Sequence, residues 1–112
     1  MSCLYILCNK RCNVVYVGST KNLIKRIYCH KKRLIDGFTK KYNVDRLVYY
    51  ERFSSEEAAL DREKQIKKYR RAKKDLLVQK MNPTWVDLYE SLLELATYRS
   101  LILDRLEKIV AS

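Results

Sequence analysis

Cys3-Leu-Tyr-Ile-Leu-Cys8 and Val14-Val-Tyr-Val17 are short runs of strand-favouring residues, separated by polar, turn-prone Asn9-Lys-Arg-Cys-Asn13. The pattern predicts a hairpin. With its loop centred between residues 10 and 11, Tyr5 falls opposite Tyr16 and both phenols emerge on one face. A one-residue slip separates them. Gly18-Ser-Thr-Lys-Asn22 ends the second strand and offers Ser19, Thr20 or Asn22 as a helix N-cap. From Leu23 to Leu34 the spacing turns helical, with Leu23, Ile27, His30 and Leu34 on one stripe and Arg26 four residues before His30. Asp36-Gly37 closes that helix.

Arg46 to Phe53 reads as a third strand. Ser54 and Glu57 then form a capping box that opens a long basic helical stretch to about Met81, bent near Tyr69-Arg70-Arg71. Asn82-Pro83 is a stop, because proline disfavours helix at the residue before it. Beyond it Leu88, Leu92, Leu95, Arg99, Ile102, Leu106 and Ile109 alternate spacings of four and three, the mark of an amphipathic terminal helix or pair of helices.

Composition adds a partner class. The chain has 112 residues and two glycines and one proline, which fits one packed domain and excludes a loop-dominated or low-complexity chain. Its net charge of +11 points to a polyanion, through charge neutralisation and counterion release. That charge is localised. Residues 1–53 carry 12 basic and 3 acidic side chains, residues 54–83 carry 9 and 5, and residues 84–112 carry 3 and 5. The basic surface therefore belongs to the first 83 residues.

No apolar run approaches the ~20 residues of a membrane-spanning helix, and no secretory signal is visible. A cytoplasmic protein is expected, nuclear in a eukaryotic source, with Cys3, Cys8, Cys12 and Cys29 reduced. A zinc reading of Cys3, Cys8 and Cys12 with His30 lacks any CxxC pair, and its first two sulfurs would leave a strand on opposite faces. Small core-like side chains are the better reading of these cysteines.

A few polar residues stand where packing alone would not put them. Glu63 shares a helical face with Ala59 and Ile66, the side that meets a sheet. A carboxylate so aimed needs a cation or metal as partner. The plainer reading pairs it with Lys67 one turn on. Arg26 and His30 share a face with Ile27, where a solvated helix edge is the alternative, and Tyr5 and Tyr16 are also good strand formers.

Taken in order, these segments resemble the GIY-YIG nuclease family, in particular its small stand-alone members. The two half-motifs are Cys3-Leu4-Tyr5 and Tyr16-Val17-Gly18. Asn22-Leu-Ile-Lys-Arg26, Arg26-Ile-Tyr-Cys-His30-Lys, Gly37-Phe-Thr-Lys-Lys-Tyr42 and Leu47-Val-Tyr-Tyr-Glu51 follow. Ala58-Ala-Leu-Asp-Arg-Glu63 and Met81-Asn82-Pro-Thr-Trp85 complete the set, which spans roughly residues 2–90.

The resemblance implies an α+β fold, a small three-stranded antiparallel sheet flanked by helices, over residues 1–85. An amphipathic helical extension occupies 86–112. It also implies a metal-dependent endonuclease of repair or recombination type, acting on DNA in preference to RNA, with a catalytically idle nucleic-acid-binding module as the alternative.

The implied catalytic residues are Tyr5, Tyr16, Arg26, His30 and Asn82, with Glu63 holding one Mg²⁺ or Mn²⁺. Tyr5 is the favoured base, Tyr16 and His30 orient water or relay the proton, and the Asn82 amide positions Glu63 or a phosphate. Gly18 lets the backbone turn closely beneath the substrate. Lys25, Lys31, Lys32, Arg33, Lys40 and Lys41 would grip phosphates without reading sequence, so specificity is expected from nucleic-acid shape.

Three positions depart from the family pattern. Cys3 replaces the glycine, Ser19 follows Gly18 where the excision-repair branch carries lysine, and His30 stands where other branches have tyrosine. The charge of that lysine comes from elsewhere, Lys21 or Lys25, or is absent. For the terminal helix two readings remain, a homodimer through its apolar stripe or a tail packed on its own core.

Overall fold

The computed structural model describes residues 1–111. Three strands, β1 (Ser2–Cys8), β2 (Val15–Thr20) and β3 (Arg46–Phe53), form an antiparallel sheet in the order β2-β1-β3. β1 is central and all seven of its residues are buried, because helices cover both faces. Cys3, Tyr5 and Leu7 pack on one side with Leu23, Ile27, Val44, Leu47 and Leu92. Leu4, Ile6 and Cys8 pack on the other with Val17, Val48, Ile66 and Val78.

The hairpin register is shifted by two residues from the expected one: Tyr5 faces Gly18, and Tyr16 faces Leu7. The loop tightens nearer its far end. There Asn9 Oδ1 accepts from the N–H groups of Asn13 and Val14, and Cys12 takes the left-handed φ of 57°. A shift of two preserves the face, since side chains alternate with period two. The two tyrosines stay on one side, their ring centroids 6.3 Å apart. Gly18 does not end β2, which runs on to Thr20.

Helix α1 (Leu23–Lys31) is capped by Asn22, whose side chain accepts from the Lys25 N–H. It stops three residues earlier than expected. Leu34 N–H reaches the Cys29 carbonyl, Arg33 N–H reaches His30, and Arg33 adopts φ 57°. This is a Schellman closure with arginine in the position that glycine usually holds, and it turns Leu34 out to 66% exposure. After the short α2 (Phe38–Lys41) and β3, α3 (Glu56–Lys67) begins one residue later than expected. Its cap is Ser55, which accepts from Ala58 N–H.

The expected bend separates α3 from α4 (Arg71–Met81), and Asn82-Pro83 ends α4 as anticipated. The last helix, α5 (Tyr89–Ala111), docks through Tyr89 and Leu92 beside α1. Leu95, Ile102, Leu103 and Leu106 then stand exposed along a helix that projects from the body. Among the described residues no helix is long and apolar enough to cross a membrane.

Candidate active site

The site grows from the strand pair and α1. Tyr5 and Tyr16 rise from neighbouring strands on the α1 face, and His30 completes a triangle of rings, 5.9 Å from Tyr5 and 6.0 Å from Tyr16. Tyr5 is 1% exposed, with its hydroxyl 3.1 Å from His30 Nε2. Burial, the neighbouring Tyr16 and the Glu63 carboxylate hold the phenol protonated well above its ordinary range, while Arg26 acts in the opposite sense. The other ring nitrogen, Nδ1, lies 3.0 Å from Thr39 Oγ1, so a neutral imidazole accepts from one of the two hydroxyls and donates to the other.

His30 is kept neutral by the same surroundings. Burial lowers its pKa from 6.5, Arg26 lowers it further, and Asp45 opposes them. A histidine buried in its neutral form binds fewer protons than it does in the unfolded chain. Stability is therefore complete above about pH 6.5 and declines as the pH falls below it. Thermal midpoints measured between about pH 7 and pH 5 should fall on the acid side, and His30→Gln should flatten that limb.

Arg26 and Glu63, on different helices, act on this cluster through their charge. Arg26 lies exposed on α1 and lines a cleft of about 510 Å³ with Ser19, Thr20, Lys25 and Ala59. Glu63, on α3 between the buried Ala59 and Ile66, has a side chain 17% exposed and pairs with Lys67 at 2.8 Å. Glu63 thus has the ion-pair partner one turn on that the plainer reading expects, and its charge also raises the Tyr5 pKa.

The carboxylate is recessed, and its partner is a lysine half-exposed to water, an exchangeable contact. One such carboxylate suits a hard cation that keeps most of its waters. Among the described residues no group of three or more His, Cys, Asp or Glu could hold a metal, so a fully protein-ligated site is not built here. Zinc finds no seat among the cysteines. Cys3 and Cys8 lie on opposite sheet faces, and Cys8, with its sulfur 3.1 Å from that of Cys12, is pushed up to about 12, first by burial and then by that hydrogen bond.

Several expected roles change. Asn82 is buried, and its amide is spent on backbone: Nδ2 donates to the carbonyls of Val48 (3.1 Å) and Val86 (2.7 Å), and Oδ1 accepts from Val86 N–H (3.1 Å). It fastens the segment after α4 to β3 and has no donor left for Glu63 or a phosphate. Gly18 is buried too. A Cβ built there would lie 2.7 Å from the Tyr5 ring and hydroxyl, so its missing side chain makes room for the phenol rather than for a substrate.

Lys31 bonds the Asp45 carbonyl and the Asp87 carboxylate, which removes it from the phosphate-gripping set. Lys21 pairs with Glu56, Lys40 with Asp36, and Arg33 bonds Asn43. Exposed contacts of this kind exchange easily, and Lys25, Lys32 and Lys41 stand beside them. Thr39, which orients His30, was not anticipated; nothing in its spacing distinguishes it from a helix-start threonine.

Comparison with known proteins places the family. A family model described as the GIY-YIG catalytic domain matches residues 1–76. A UPF0213 protein of Natronomonas pharaonis is 39% identical over 64 residues, which are 57% of this chain and 75% of that protein. The solution NMR structure of a UPF0213 protein of Bacillus halodurans is similar at a TM-score of 0.50 and 30% identity, covering 78% of this chain and 93% of the other.

Proposed function

The chain belongs to the GIY-YIG catalytic-domain family, and from that premise we propose that it hydrolyses phosphodiester bonds of nucleic acid, DNA in preference to RNA, with a divalent cation. The observation that carries this reading is the packing of Tyr16 and His30 around the buried Tyr5 phenol, within electrostatic reach of Arg26 and Glu63. The basic faces of α1 and α2 supply the attraction for a polyanion.

Glu63 would hold Mg²⁺ or Mn²⁺, which supplies Lewis-acid neutralisation of phosphoryl charge and acidifies the attacking water. Arg26, permanently charged and free of any carboxylate within ion-pair distance among the described residues, neutralises a phosphoryl oxygen in the transition state. Tyr5 is too deeply buried and too firmly protonated to act as base. Its task is to hold His30. Tyr16, only half-buried on the same face, is better placed than Tyr5 to meet the attacking water. His30, fastened between Tyr5 and Thr39, orients the ring cluster.

The test is incubation with branched, nicked and plain duplexes, with and without Mg²⁺ or Mn²⁺. Cation-dependent scission supports the reading. Binding without scission favours the idle module, toward which Ser19 and the Lys67–Glu63 pair lean.

The part of the α5 stripe beyond Leu92, which is buried on the chain's own core, is the seam of a homodimer in this reading. Its average period of 3.5 residues follows a partner helix rather than a flat surface, and Leu95, Ile102, Leu103 and Leu106 are exposed together. Sedimentation should give a dimer that Ile102→Glu with Leu106→Glu converts to monomer. A monomeric intact chain would leave the stripe without that role.

A further inference from the structure

The aromatic cluster does not stop at the buried phenols. Phe38 lies over Tyr16 with centroids 6.3 Å apart and planes inclined by only 25°, and Tyr42 follows 4.8 Å from Phe38. The rings form a continuous track from the buried Tyr5 to the surface. Its outer end is open, with Phe38 47% and Tyr42 44% exposed. A ring that served only to cover Tyr16 would be expected to bury itself, and these two do not.

The surroundings show what the track could take. Gly37, immediately before Phe38, has φ 113°, and a Cβ there would meet nothing within 4 Å, so the chain enters the Phe38 helix from open space. Lys40 and Lys41 belong to the same helix, and Lys41 Nζ lies 5.4 Å from the Tyr42 ring centre. Half-exposed aromatic faces set among lysines match a flat, sequence-tolerant ligand on an anionic backbone. Bases within an intact duplex already stack on one another and cannot present a free face. An unpaired base can.

We propose that Phe38 and Tyr42 form a stacking platform for an unpaired nucleobase next to the phosphate held at the site. The platform makes single-stranded flaps or branches the preferred ligands over plain duplex. This rests on the nucleic-acid reading above. Lys40 and Lys41 meet the phosphates flanking the stacked base, and Tyr16 links the platform to the reacting centre.

The experiment is cation-free equilibrium binding of the full chain to two probes, a duplex with a single-stranded flap carrying 2-aminopurine and a plain duplex of equal length. The intact chain should bind the flap more tightly and quench its fluorescence. Phe38→Leu, which retains an apolar cover over Tyr16 but removes the π face, should abolish the quenching and weaken flap binding about tenfold, with duplex binding within about twofold. Tyr42→Ala should act in the same direction. Equal affinity of the intact chain for both probes, unchanged flap binding in Phe38→Leu, or equal losses on both probes would overturn the platform. Absence of binding to either probe would instead remove the nucleic-acid reading on which it stands.

Discussion

Glu63→Gln should lower cation-dependent cleavage by about a thousandfold or more while leaving nucleic-acid binding nearly intact. The amide keeps the size of the side chain and removes the charge. The charge of Glu63 acts on the Tyr5 hydroxyl. The cost to the fold is small. The Lys67 contact is an i,i+4 pair with a half-exposed partner, worth a few tenths of a kcal/mol. Single-turnover cleavage, gel-shift affinity and a thermal melt on the same preparation separate the three effects. A melt lowered in step with activity would mean that Glu63 acts through folding.

Gly18→Ala should damage both the fold and the site, although no unusual backbone conformation is involved. The new methyl would meet Tyr5 Cζ and hydroxyl at 2.7 Å and Tyr16 Cε1 at 3.0 Å. Tyr5 is packed on every side, so relief requires displacing a ring or parting the strands, which costs about 1–3 kcal/mol. A fall in thermal midpoint of about 5–15 °C is expected for a chain of this size. Tyr5→Phe removes one of the two closest contacts, so in the Gly18→Ala background it should restore part of the stability without restoring cleavage. Full additivity of the two substitutions in a melt would contradict the contact.

What the sequence made legible follows what local physics controls. β3 matches its expected bounds because Leu47, Val48, Tyr49 and Tyr50 form an unbroken strand-favouring run before the Ser54-Ser55 turn. The shared face of Tyr5 and Tyr16 survived an error in register because the error was even. The register itself was hidden in the loop, where Asn9 bonds two backbone N–H groups and Cys12 accepts a left-handed turn.

The end of α1 escaped notice because Arg33 closes it without a glycine. Asn82 shows the harder limit. A polar residue in a motif can serve chemistry or architecture, and only the positions of Val48 and Val86 reveal that its amide is fully occupied. The same holds for Gly18, whose value lies in a ring thirteen residues earlier in the chain. Glu63 and Arg26 could be nominated from their helical faces, but the opposing pull of their charges on the Tyr5 hydroxyl depends on the packed sheet and helices.

The most direct test of the assembled site needs no turnover. Mn²⁺ titrated into the isotopically labelled chain broadens NMR signals near the ion. Broadening should concentrate on Tyr5, Tyr16, Arg26, His30 and Glu63, spare α4 and the projecting part of α5, and vanish in Glu63→Gln. Signals that broaden elsewhere, or that broaden equally without the carboxylate, would mean that these side chains do not form a cation-binding centre.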